Sequence, residues 1–205
     1  MLQQKNRQSM PYSLSLFDDI ATSLIKDIKV DLCLDIGAGA GKYGKLVRQY
    51  HPKSHLIAVE IESEYIEQFG LASIYDEVKC VSADSLIDPS SELTFDLVVF
   101  GDCLEHMRKS LGVDLINFFM YRTKYMLAIF PEGLIQGCWQ GHLSEAHISV
   151  WSNSDFTPFD HVFIQRIRTD LVVINGYLLK RVEPTVQELL AEHLLCKKGG
   201  EWKKT

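Results

Sequence analysis

Asp31-Leu-Cys-Leu-Asp-Ile-Gly-Ala-Gly-Ala-Gly-Lys-Tyr-Gly44 is the stretch on which the fold turns. Leu32, Leu34 and Ile36 form a short apolar run of the kind found in a strand covered on both faces, and Gly37, Gly39 and Gly41 stop it. Glycine tolerates positive φ and lets a ligand approach bare backbone. From Lys42 the pattern becomes helical, through Tyr43, Leu46, Val47 and Tyr50. The turn therefore presents a helix N-terminus, with its partial positive charge, to whatever lies above it.

Working outward, the same rhythm recurs. Leu14, Phe17, Ile20, Ala21, Leu24, Ile25 and Ile28 predict an amphipathic helix within about residues 12–30, ahead of the first strand. After His51-Pro52, His55 to Glu60 reads as a second strand, and a short helix follows at 63–69. Glu77 to Val81 reads as a third strand and Phe95 to Phe100 as a fourth. A helix at 109–122 leads to a fifth strand, Tyr125 to Phe130, stopped by Pro131. Strands spaced by helix-length intervals call for crossover connections and a parallel sheet.

Residues 132–161 lose this periodicity and are rich in Gly, Trp, His and Ser, as befits a substrate-side loop region with a short helix near 154–159. Val162 to Arg168 and Leu171 to Arg181, joined at Thr169-Asp170, predict an antiparallel hairpin. Pro184 opens a last helix with Val186, Leu189, Leu190 and Leu194 on one face, and the tail from Lys197 reads as frayed. The expected architecture is one domain over residues 1–205. It is α/β and Rossmann-like, a doubly wound and mostly parallel seven-stranded sheet with an antiparallel C-terminal hairpin strand. The cofactor core is placed at 31–131 and the hairpin with the last helix at 162–195.

Composition narrows the function classes. The chain has 205 residues, is 46% hydrophobic and carries a net charge of -6, enough for one good core and without the basic field that nucleic acid or an anionic membrane would call for. No run reaches membrane-span length and the N-terminus lacks a signal-peptide core, so the expectation is a soluble cytoplasmic protein, monomeric or homodimeric. The cysteines at 33, 80, 103, 138 and 196 form no CxxC pair, which suits reduced thiols; Cys33, Cys80 and Cys103, in or beside strands, read as small core residues.

Three acids end three successive strands: Asp35, Glu60 and Asp84. In an open α/β sheet such residues converge on the crevice at the carboxyl ends of the strands. Glu60 lies about twenty residues past the glycine turn, where an acid can hold both ribose hydroxyls. Asp84, with backbone near Ser85, is placed for an adenine amino group. Gly39-Ala-Gly41-Lys-Tyr-Gly44 also satisfies GxGxxG, so NAD remains a rival ligand. Asp35 weighs against it, because a carboxylate beside the turn repels a diphosphate and attracts an ammonium.

The residues resemble class I S-adenosylmethionine-dependent methyltransferases. Leu34-Asp-Ile-Gly-Ala-Gly-Ala-Gly41 is similar to the family's first motif, Val59-Glu60 to the second, Ala83-Asp84-Ser85 to the third, and Phe95-Asp-Leu-Val-Val99 running into Asp102-Cys-Leu-Glu-His106 to the fourth. The Leu-Glu-His ending resembles a subgroup that methylates small molecules. The resemblance implies that S-adenosylmethionine is bound by Asp35, Gly37, Gly39, Gly41, Glu60, Ile61, Asp84, Ser85 and Asp102. Within that set Asp35 and Gly37 would hold the methionine moiety, Glu60 the ribose, Asp84 the adenine, and Asp102 would lie near the transfer point.

His106, together with His142 and His147 in the loop that also carries Trp151, are the candidates for a general base, since imidazole titrates near neutral pH. Asp102, His106, His142 and His147 show no ligand spacing, so no metal is expected. The expected activity is methyl transfer to a small-molecule or saccharide-like acceptor, at oxygen. The alternatives are an NAD-dependent oxidoreductase, which lacks a Tyr-x-x-x-Lys pair here, or a non-catalytic methyltransferase-like binding protein.

Overall fold

The computed structural model of the chain describes residue 13 and residues 15–178 and 184–195. Seven strands form one sheet: β1 (Leu32–Ile36), β2 (His55–Glu60), β3 (Glu77–Cys80), β4 (Phe95–Gly101), β5 (Thr123–Pro131), β6 (His161–Arg166) and β7 (Thr169–Asn175), in the order β3-β2-β1-β4-β5-β7-β6. The pairs β1·β2, β2·β3, β1·β4 and β4·β5 are parallel. β7 runs antiparallel to both β5 and β6. This is the expected mostly parallel sheet with one reversed strand. The strand order reverses beside β1, and a crevice opens there between β1 and β4.

Alternate residues along each strand feed two cores. Cys33, Ala58, Leu97, Val99 and Leu127 face α1 (Asp18–Asp27) and α2 (Lys42–Tyr50), meeting Ile20, Leu24, Tyr43 and Val47. Leu34, Ile36, Val59, Val98 and Phe100 face α4 (Lys109–Met120) and meet Leu115, Phe119, Trp151 and Phe156. Each fully buried large apolar side chain stabilises the fold by about 1.5–3 kcal/mol. At the opposite end of the sheet from the crevice, Asp96 accepts the amides of Asp31 and Leu32 at 2.7 and 2.9 Å and pairs with Lys124 at 2.6 Å. Burial alone would raise its pKa, but Lys124 and the two amides outweigh it and hold the carboxyl below its usual range. That clamp sets the register with which β1 enters the sheet.

Several expectations shift. The hairpin turns at Ile167-Arg168, not at Thr169-Asp170; both residues have positive φ, 43° and 60°, as a two-residue turn of the strand-matching hand requires. β7 ends at Asn175, and its expected extension to Arg181 falls partly outside the described residues. The last helix is two short pieces, α5 (Val186–Leu189) and α6 (Ala191–Leu195), started by the Thr185 side chain capping Glu188. Cys80 is exposed because β3 is the edge strand, whereas Cys33 and Cys103 are buried thiols. Cys196, Leu14 and the tail lie outside the described residues. Among the described residues no helix is long and apolar enough to cross a membrane.

Candidate active site

The glycine turn is built by the positive φ of Gly37, Gly39 and Gly41, at 72°, 51° and 71°. Gly37 and Ala38 both donate to the Val59 carbonyl, at 2.9 and 3.2 Å, which ties the turn to the end of β2. A Cβ on Gly37 would lie 2.6 Å from Cys103 Sγ, so the close approach of the β1 and β4 ends requires glycine there. Gly41 then caps α2 in a left-handed conformation.

Asp35 lies beneath this turn, 2% exposed, on the face of β1 that looks toward α2. Tyr75 donates its hydroxyl to Asp35 Oδ2 at 2.5 Å, and the Gly44 amide donates to the same hydroxyl at 3.2 Å. Asp35 Oδ1 is buried and has no partner. Burial raises the Asp35 pKa to about 6, against the opposing pull of the Tyr75 hydrogen bond. The carboxylate is thus short of one cationic or N–H partner.

Glu60 is 5% exposed, with Oε2 accepting the Gly39 amide at 2.8 Å and Oε1 the Glu62 amide at 2.9 Å. Each oxygen keeps a further lone pair for a ligand hydroxyl. Burial pushes its pKa up while those amides pull it down. Glu60 lines an inner recess together with Gly37, Ile61, Gly101, Asp102, Cys103, His106, Ser144 and Glu145. Asp102, at the end of β4, takes a positive φ of 50°. Among the described residues no Lys or Arg lines this recess, whereas Glu60, Asp102 and Glu145 do. It is a negative hollow.

The recess continues outward into an open crevice bordered by Ile61, Val81, Ala83, Met107, Leu111 and Ile148, with Asp84 on its edge. Ile61 and Ile148 are 54% and 59% exposed and give the crevice an apolar wall on which a flat ligand could rest. Ser85 is not part of this crevice: its hydroxyl donates to the Ser82 carbonyl at 2.7 Å, and it borders a separate recess with Leu86 and Asp88. Gly39 and Gly41 contribute through backbone shape, and the Gly39 amide through its bond to Glu60. Together these features suit S-adenosylmethionine: an orphaned carboxylate oxygen for the ammonium, an acid for the ribose and an apolar slot with an acidic edge for the adenine.

The three histidines part company. His106, in the turn Leu104–His106 after β4, lines both recesses, and its ring meets that of His147 edge-on at 4.8 Å. Burial, and then the neighbouring His147, lower the His106 pKa to about 4. Glu105 beside it is 2% exposed, and burial drives its pKa well above the usual value. His142 is not brought to the crevice. Its Nδ1 lies 3.1 Å from Glu62, its Nε2 3.5 Å from Glu64, and its ring rests on Tyr65. Trp151 is not available to a substrate either. It is 1% exposed, donates to the Leu104 carbonyl at 3.0 Å and packs against Phe130 and Phe156.

Sequence reasoning passed over Tyr75, Ser144 and Glu145. None belongs to a spacing pattern: the return of the loop across the sheet end brings Ser144 and Glu145 to the crevice, while Tyr75 lies beneath the turn against Asp35. Ser144 reaches Glu62 by a short hydrogen bond, and Gln136 donates to the Glu145 carbonyl at 2.7 Å, which fastens that loop down.

The geometry agrees with comparisons against known proteins. Residues 34–114 match the family model described as a methyltransferase domain. No curated protein matches the chain. Among solved structures, a putative O-methyltransferase of Nostoc punctiforme superposes with TM-score 0.56 at 16% identity, over 78% of this chain and 57% of its own. An O-methyltransferase family protein of Burkholderia thailandensis gives 0.54 at 11% identity over 78% and 56%. The N-terminal domain of EvdMO1 with SAH bound gives 0.56 at 11% identity over 83% of each chain. The chain spans little more than half the length of the first two, and at these identities the likeness is one of fold. The matched stretch contains the strand ends and the glycine turn that build the crevice, and the sheet that carries it has the Rossmann-like fold of these methyltransferases.

Proposed function

We propose that the chain transfers a methyl group from S-adenosylmethionine to a hydroxyl oxygen of a small-molecule or saccharide-like acceptor. The observation that carries this reading is the negative inner recess: three carboxylates line it, a fourth, Asp35, lies buried under the turn with one oxygen unpartnered, and among the described residues no Lys or Arg lines it. Such a hollow attracts an ammonium and a sulfonium and repels the diphosphate of NAD. When bound, S-adenosylmethionine supplies a methyl group already activated on sulfur.

The side chains then have mainly to position. Asp35 receives the ammonium, Glu60 the ribose hydroxyls and Asp84 the adenine edge, while Asp102 and Gly101 border the point where the acceptor enters. Holding acceptor and cofactor in line provides much of the acceleration. His106 faces the same recess, and burial keeps its ring neutral near pH 7, so the imidazole can accept a hydroxyl proton. His147 supports it from behind, and His142 belongs to the loop anchor at α3 (Ser63–Gln68). Oxygen as the target is supported by the O-methyltransferases among the fold neighbours, and a saccharide-like acceptor by EvdMO1, solved with SAH and D-fucose.

Calorimetry with S-adenosylhomocysteine and with NAD separates this reading from the oxidoreductase. The thioether is expected to bind and NAD is not; the reverse result would overturn the proposal. A library of sugars and phenols, screened for S-adenosylhomocysteine release, then tests the acceptor class.

A further inference from the structure

Behind His106 the loop and the sheet end bring together a second constellation. One ligand atom from each of Glu105, His106 and His147 lies within 4.8 Å of the other two. Glu105 Oε2, His106 Nδ1 and His147 Nε2 are all buried, and none has a hydrogen-bond partner. Three unsatisfied polar atoms in one place are unusual, because each leaves a desolvated group uncompensated.

His147 Nδ1 lies 2.8 Å from the Leu134 carbonyl, an acceptor, so this nitrogen carries the proton and Nε2 presents a lone pair. His106 Nε2 lies 3.9 Å from Glu105 Oε1. Two imidazoles and a buried carboxyl group thus face one another, and His147 is oriented through its other nitrogen by a backbone carbonyl, as metal-bound histidines are.

We propose that Glu105, His106 and His147 bind a divalent transition-metal ion of the zinc and cobalt class at the inner edge of the crevice. Two histidines with one carboxylate is a ligand set for such ions that leaves a position open, whereas magnesium prefers oxygen ligands and keeps its water. Ligand bonds of about 2.0–2.1 Å place tetrahedral donors about 3.3 Å apart, so the three side chains would draw inward by about 1.5 Å. The backbone is already in place for that. The amides of Ile148 and Ser149 both donate to the Glu105 carbonyl, at 2.8 and 3.1 Å, locking the His147 segment against the Glu105 turn. The role of the ion rests on the transferase reading: an acceptor hydroxyl on the open position would lose its proton more readily than a free one. Binding of the ion does not depend on that reading.

The test is a cobalt titration of tag-free, cofactor-free protein, followed by visible absorption, with zinc competition and magnesium as a control. Cys80 and Cys138 are exposed thiols and are replaced by serine throughout. One cobalt per chain with tetrahedral-type bands, displaced by zinc and not by magnesium, is expected. His147→Asn and Glu105→Gln should each weaken binding by at least about 10-fold, while exposed His55→Ala leaves it unchanged. Circular dichroism confirms that each variant is folded, and the smaller change His106→Gln stands in for any that is not. Absence of cobalt bands in the folded parent protein, or equal affinity in His147→Asn, overturns the proposal. A parallel titration with S-adenosylhomocysteine reports on the cofactor site separately, so the two readings can fail independently.

Discussion

Tyr75 and Asp35 share a hydrogen bond of 2.5 Å beneath the glycine turn, and the Tyr75 hydroxyl also receives the Gly44 amide from the first turn of α2. One phenol therefore fixes a carboxylate, a helix start and the segment leading into β3. A Cβ on Gly44 would sit 2.3 Å from the Tyr75 ring, so the contact leaves no room for adjustment. The bond uses one Asp35 oxygen and leaves the other without a partner.

This arrangement predicts opposite effects of Asp35→Asn on stability and on binding. The folded-state pKa of about 6 lies above the ordinary 3.8, so the folded protein holds a proton that the unfolded chain releases. The stability linked to Asp35 is complete below about pH 4 and is lost as pH rises through 6. Asp35→Asn should then make the free protein more stable at pH 8, by up to about 3 kcal/mol, with the difference closing near pH 4. S-adenosylhomocysteine affinity should fall at least about 100-fold. Urea unfolding at several pH values and calorimetry measure the two.

The apolar slot makes a cleaner binding test. Ile61 is 54% exposed, so Ile61→Asp should leave stability within about 0.5 kcal/mol while lowering S-adenosylhomocysteine affinity about 10-fold or more. Unchanged affinity by calorimetry would remove Ile61 from the cofactor surface.

Trp151 predicts the reverse pattern. It packs on Gly112, where a Cβ would lie 2.5 Å from its ring, and anchors the loop to Leu104. Trp151→Ala should cost about 3–5 kcal/mol in urea unfolding. Loss of activity should follow loss of folded protein, with KM for the acceptor unchanged in the folded fraction.

His106 should set the acid side of stability. Its folded pKa of about 4 lies below the ordinary 6.5, so its contribution is complete above about pH 6.5 and is lost as pH falls toward 4. Replacing it with Gln should flatten stability over that window in metal-free protein. If His106 also receives the hydroxyl proton, turnover should fall at least about 100-fold, with the S-adenosylhomocysteine Kd nearly unchanged. Denaturation against pH and steady-state kinetics check the two parts.

The hairpin carries a correctable strain. Ile167 is 82% exposed at a φ of 43°, where a β-branched side chain is unfavourable. Ile167→Asn should raise stability by about 0.5–1 kcal/mol without affecting cofactor binding, as read by thermal and urea unfolding.

Much of the core was legible because its signals are local. β2, β4 and β5 announce themselves as four to six consecutive apolar residues, β1 shows three before Asp35, and the glycines at 37, 39 and 41 do require positive φ. The acids at 35 and 60 were found because a polar residue at the end of a buried strand stands out against its neighbours; Asp84, expected to end the third strand, lies four residues past the end of β3, in the turn Ala83–Leu86. The hairpin turn was misplaced by two residues because Ile and Arg are not turn formers; pairing to β5 imposes the turn there. His142 and Trp151 were grouped with the substrate loop because they share its sequence, but one folds back onto Glu62 and the other into the core.

The sequence by itself determined the sheet, the glycine turn and the acids above it, since period, strand ends and glycine placement are written in short windows of chain. Only the tertiary structure decided what meets those acids. Tyr75 beneath Asp35, Glu145 facing Glu60 across the recess, and His147 against Glu105 and His106 are contacts between segments 40 to 85 residues apart. The packing of a non-periodic loop across the end of the sheet sets the last two, and no local pattern encodes that.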